Sequence, residues 1–265
     1  MRNMRLASAI LLLAGVSCRP ETVELAYRYE PGAVLHYEMT ASAKASWDIG
    51  AKGSGSYTIT YDVAEEVIEV DEGVATVAVT MTPGEITEKG LPSPGPRARS
   101  FELQLGTQGQ VLEILSVDGV PAGSLEPDDL AFIGTYRPPL ASQDVALRDS
   151  WEAEQKVSIG PVFQQVTTTG RLERLDVRAA GPVATMSFEG RGPLVWTTSL
   201  AQGAAELTGS ASSSGEAELS MKDGYLDSSV STTSGRFEVR VTPEGGQSAI
   251  TGTLRLDLTL ELDRV

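Results

Sequence analysis

The last fifteen or so residues decide the fold class. Ile250, Leu254, Leu256, Leu258, Leu260 and Leu262 alternate with Thr251, Thr253, Arg255, Asp257, Thr259 and Glu261. In an extended chain successive side chains point to opposite faces, so period two marks a strand with one apolar and one polar side. Such a strand belongs in an antiparallel sheet with one face covered and one face wet. The same alternation sets Phe237, Val239 and Val241 against Arg236, Glu238 and Arg240, and Phe101, Leu103 and Leu105 against Glu102 and Gln104. Tyr57, Ile59, Tyr61 and Val63 alternate with Thr58, Thr60 and Asp62, and the phase breaks near Glu65–Glu66, which suggests a bulge or a turn.

Turn chemistry falls between these runs, at Asp71-Glu72-Gly73, Gly106-Thr107-Gln108-Gly109, Lys222-Asp223-Gly224 and Glu244-Gly245-Gly246. Gly53-Ser54-Gly55 also reads as a hairpin turn. The expectation is a meander of long hairpins. Two stretches interrupt it. Residues 83–98 hold four prolines and three glycines and read as a loop. Residues 124–139 are the one helix candidate: Glu126 caps it, Pro127 suits the first helical position, Asp128 and Asp129 suit the positive end of the dipole, and Pro138-Pro139 stop it. VATVAV at 74–79 is echoed by VATMSF at 183–188. A strand–turn–strand word follows each, at 101–114 and 217–229. Two related halves, about 33–119 and 163–262, joined by a helical connector at 120–160, are therefore expected within one β-rich domain, 31–265.

The start of the chain reads as an address. Arg2 and Arg5 precede an apolar stretch from Leu6 to Val16, which is too short to span a bilayer. Small residues Ala14, Gly15 and Ser17 then lead to Cys18, the single cysteine. This order resembles the lipobox of bacterial lipoproteins, with Gly15 where that family prefers leucine. The resemblance implies a signal peptide at 1–17, a lipid attached to Cys18, and a tether over 18–30. An ordinary secretory signal that leaves Cys18 as a free thiol is the alternative. One cysteine also rules out an internal disulfide framework.

Charge and chemistry narrow the function. The chain carries 36 acidic against 21 basic residues, a net −15, which disfavours nucleic acid and anionic surfaces as partners. The single histidine, His36, falls on the polar face of its strand, and no nucleophile elbow accompanies it. One His and one Cys exclude zinc sites built from those ligands. Asp128–Asp129, Asp149 with Glu152, and Glu65–Glu66 read as helix starts, turns and solvated faces. No catalytic residue, metal site or cofactor is therefore expected. Aromatic and apolar residues on predicted strands, among them Tyr57, Tyr61, Phe101, Leu103, Phe188 and Trp196, either fill a core or line a cavity on the concave side of a curled sheet.

Tyr27-Arg28-Tyr29-Glu30-Pro31-Gly32, followed by Leu35-His36-Tyr37, resembles the opening of a family of bacterial envelope lipoproteins. These proteins also carry a Gly-Asp-Ser-Trp segment, matched here by Arg148-Asp149-Ser150-Trp151 with Arg in place of Gly. In layout the chain is similar to lipoprotein carriers and chaperones of the LolA and LppX type. That likeness implies an antiparallel curled sheet or half-barrel crossed by one short helix and able to hold acyl chains. The expected protein is exported and anchored to an envelope membrane, the outer in preference to the inner. It is non-enzymatic and binds a hydrophobic ligand such as a lipid. A self-packed structural or protein-interaction module is the first alternative, and a hydrolase the second.

Overall fold

The computed structural model of the chain describes residues 21–90, 98–124, 137–159, 162–200, 203–243 and 248–265. Alternation became strands of unusual length. β2 (Val34–Ile49), β3 (Ala51–Asp71), β4 (Val74–Lys89), β5 (Arg99–Leu105), β6 (Val111–Val117) and β7 (Val120–Pro121) form one half of a sheet. β9 (Ser150–Ile159), β10 (Val162–Arg178), β11 (Gly181–Leu200), β12 (Gly203–Ser220), β13 (Leu226–Pro243) and β14 (Ile250–Arg264) form the other. The halves meet where β14 pairs with β2. The result is one twelve-stranded antiparallel sheet in the order β7-β6-β5-β4-β3-β2-β14-β13-β12-β11-β10-β9. The sheet is not closed into a barrel; β7 and β9 are its edges. β1 (Thr22–Val23) and β8 (Val145–Ala146) make a separate two-stranded pair.

Residues 74–79 open β4 and 183–188 lie near the start of β11, while 101–114 and 217–229 are the β5–β6 and β12–β13 hairpins. Both hairpin turns converge on adjacent residues of the N-terminal segment: the Tyr27 amide donates to Thr107 O at 2.8 Å and the Arg28 amide to Gly224 O at 3.1 Å. The sheet therefore curls until its two halves share one core. Val77, Leu103 and Leu105 from one half join Leu172, Ala184, Met186 and Leu219 from the other.

Several expectations change at this point. Residues 21–30, read as the end of a tether, run into that core instead, with Leu25 and Tyr27 each 1% exposed. The hairpin turn lies at Gly50, where φ is +69°, and Gly53–Ser54–Gly55 belong to β3. Gly53 is needed because the Trp47 ring lies over it; a Cβ there would stand 2.5 Å from the indole. β4 continues to Lys89 through the stretch read as a loop. Pro83 is tolerated because β5 pairs only with residues 75–81, so Pro83 lies beyond that pairing and next to a bulge between Ile59 and Tyr61. The alternation does not break at Glu65; Val63, Glu65 and Val67 all point inward, and the bulge comes between Val67 and Glu69. Of the helix candidate at 124–139, residues 125–136 lie outside the described residues, as do Cys18 and the leader. Among the described residues the helical structure is a single 3-10 turn at Ala122–Ser124.

Candidate functional site

The covered face of the sheet has two regions of different character. At the end where residues 21–30 and 137–149 cross, it is filled. Tyr27, Tyr37, Leu140, Leu172 and Met186 are fully buried, and Trp151 packs edge-on against Phe188 with ring centroids 6.1 Å apart. The crossing segment is held by side-chain donors: Tyr27 Oη to Pro138 O at 3.1 Å, and Trp151 Nε1 to Pro139 O at 3.1 Å. Under it Arg137 and Glu65 form a buried ion pair, 4% and 1% exposed. The guanidinium also lies 5.1 Å from the Tyr27 ring centre and 5.9 Å from that of Tyr29. Burial holds the Tyr27, Tyr29 and Tyr37 hydroxyls above the ordinary tyrosine range, and Arg137 pulls part of the way back.

Past this plug the face changes. β12 places Ala211, Ser213, Gly215 and Ala217 inward, and β13 faces them with Gly235, Thr233, Ser231 and Ser229. Beside this strip of small residues stands the wall of β14: Leu254, Leu256, Leu258 and Leu260, all half-buried. Large side chains on one strand and small ones on the next two leave a trough. It encloses a cavity of about 210 Å³, bounded by Phe188, Leu194, Leu207 and Phe237 and capped at one end by Arg137, Pro138 and Pro139. Interiors normally pack without voids. An apolar cavity of ~150 Å³ already stays dry and admits a small apolar guest.

The residues singled out from sequence are spread along this face. Phe188 lines the cavity. Phe101 and Leu103 are buried in the closed-end core, with Tyr61 packed partly against them. Tyr57 is half-buried further along β3, and burial raises the hydroxyls of both Tyr57 and Tyr61. Trp196 pairs with Leu207 by register, and its side chain lies outside the described residues. Of the five whose side chains are described, the cavity thus takes one. The leucine wall and the small-residue strip were visible as alternation but were not set against each other, because pairing β14 with β13 requires the register. Glu65 was missed for a simpler reason: a carboxylate in the apolar phase, after Tyr61 and Val63, was read as a phase error.

His36 is exposed opposite Ala64, and Asp149 is occupied in a turn, accepting the Ala146 amide at 2.9 Å. Among the described residues no three His, Cys, Asp or Glu side chains converge as metal ligands. No helix among them is long and apolar enough to cross a membrane.

No family model matches the sequence, and no curated protein matches it. Among solved structures the chain is similar to lipovitellin, in a structure titled for its lipid–protein interactions. The TM-score is 0.47 and the identity 11%, over 90% of this chain and 25% of the lipovitellin chain. This chain therefore spans a quarter of that one, and a likeness at this level is no guide to ligand or site residues.

Proposed function

We propose that the protein is an exported, lipid-anchored, non-enzymatic carrier that holds a slender hydrophobic ligand, such as an acyl chain, in the trough that β10 to β14 form on the covered face of its sheet. The observation that carries this reading is the half-buried wall of Leu254, Leu256, Leu258 and Leu260 standing over glycine, alanine and serine, with about 210 Å³ of space between. A face packed only against itself would fill that space with side chains. Ligand clefts commonly run to about 300–1,000 Å³, so this one suits a chain in preference to a ring system. Each methylene it takes from water contributes about 0.8 kcal/mol before the cost of ordering the chain. The Cys18 anchor would keep the trough beside a membrane that supplies such chains.

Two measurements test the reading. The protein purified from its own exporting cells should carry lipid detectable by mass spectrometry and should bind a fluorescent fatty acid. Filling the trough with Ser231→Phe and Thr233→Leu should abolish probe binding while leaving the melting temperature unchanged or higher. A lipid-free protein that ignores the probe would overturn the carrier. Separately, a Cys18 without acyl mass would remove the anchor.

A further inference from the structure

The polar face of the same sheet carries a second concavity, and its charge runs against that of the chain. Register aligns Pro193, Ser210, Arg236, Arg255 and Ser46 in one row across five strands, with Arg191, Ser212 and Ser234 in the next. These residues line an open groove of about 1030 Å³ that reaches Asp48 and Lys52 at its far side. Four cations line the groove with one carboxylate, Asp48, and a second, Asp257, follows Ser234 in its row, in a protein of net charge −15. Lys52 is matched by Asp48 at 3.6 Å and Arg255 by Asp257 at 3.5 Å. Among the described residues Arg191 and Arg236 pair with no carboxylate. Arg236 and Arg255 also stand directly opposite one another, an arrangement that costs stability in a strand pair. Arg178 of the same sheet, by contrast, is bidentate to Glu218 at 2.8 and 2.6 Å.

We propose that this groove binds a soluble, hydroxyl-rich ligand bearing a phosphate group, with Arg191, Arg236 and Arg255 on the phosphate and Ser210 and Ser212 beside it. A phosphomonoester brings close to two negative charges and several acceptor oxygens, which match two unpaired guanidinium forks. The groove is far larger than phosphate alone and lies at the upper end of small-molecule clefts, so it has room for the body that carries the group. An anionic bilayer is a poor occupant. Glu189, Glu206, Glu238 and Glu261 are exposed on the same face and would repel an extended negative surface, whereas a compact molecule can enter between them.

The test is titration calorimetry of the purified protein with glucose 6-phosphate, glucose and inorganic phosphate, beside sedimentation with phosphatidylglycerol vesicles. Glucose 6-phosphate should bind, more weakly as salt rises, and glucose should not. Arg191→Ser with Arg236→Ser should weaken it by about tenfold or more, while Arg174→Ser leaves it unchanged. Arg236→Lys keeps the charge but loses the fork, and should weaken binding by a smaller factor. The double variant should melt no lower than the wild type, because it removes a like-charge contact. Equal affinity in wild type and double variant, equal binding of glucose, or arginine-dependent capture by vesicles without binding of the soluble phosphate would each overturn the proposal.

Discussion

The closed end and the trough share strands β10 to β14, on the same face, with the same alternation, and yet one is core and the other is cavity. At the closed end large inward side chains from both halves share one buried cluster: Leu172, Met186 and Leu219 with Val77, Leu103 and Leu105. In the trough, β14 keeps its leucines while β12 and β13 shrink to glycine, alanine and serine. Alternation therefore decides which face is covered, and side-chain size decides whether the cover is complete.

The sharpest way to break this contrast is at Glu65–Arg137, which sits where core gives way to cavity. Glu65→Ala breaks the buried ion pair with Arg137 and should cost about 3–5 kcal/mol in denaturant unfolding. Glu65→Leu with Arg137→Met should recover most of that loss. A single variant as stable as wild type would mean that the closed end is wet and not a core at all. Next in size is a matched pair of truncations. Leu172→Ala, at a position with no exposure, should cost about 2–5 kcal/mol. Leu258→Ala, on the half-buried wall, should cost about 1 kcal/mol or less and instead weaken a bound apolar probe. Equal losses at both sites would erase the distinction between core and trough.

A pH experiment sharpens the same comparison. Tyr27, Tyr29 and Tyr37 have their hydroxyls raised above the ordinary value of 10, chiefly by burial. Because the folded state holds these protons more tightly than the unfolded chain, the stability they contribute is fully present below about pH 10. It is lost as pH rises beyond that. Phenolate absorbance from these residues should appear together with the loss of near-ultraviolet circular dichroism, in one cooperative step above pH 10. Ionisation completed while the dichroism persists would show that the plug admits water.

The covered face was legible from single residues, because period two needs no partner to be seen. The strand order from β7 to β9, the curl and the trough were not, because each depends on what lies opposite. Gly53 looked like a turn until the Trp47 ring was found above it. Glu65 looked like a break in phase because its compensating charge is 72 residues away. Residues 21–30 looked like a tether because their few apolar side chains, Leu25 and Tyr27 among them, acquire a core only when Thr107 and Gly224 are brought to the same place. The candidate site suffered most: six residues were chosen by type, and the cavity is defined by contrast between neighbours.

The smallest effect concerns a residue whose oddity was already visible as Arg148 in place of glycine. The backbone there has φ +72°, a region that costs a residue with a Cβ about 1–2 kcal/mol. The conformation is imposed from both sides, since the Arg148 amide donates to Leu172 O at 2.7 Å and the Asp149 carbonyl accepts the Leu172 amide at 3.1 Å. The Arg148 side chain is exposed, so little is lost by removing it. Arg148→Gly relieves the strain but gives the unfolded chain more freedom, which offsets part of the gain. The net should be a stabilisation of about 0.5–1 kcal/mol, read as a higher denaturation midpoint at unchanged slope. The turn belongs to the closed end and touches none of the leucine wall, so binding of an apolar probe should not change. If the probe weakened along with the stabilisation, the trough would depend on a loose closed end, and the two regions would be one coupled device.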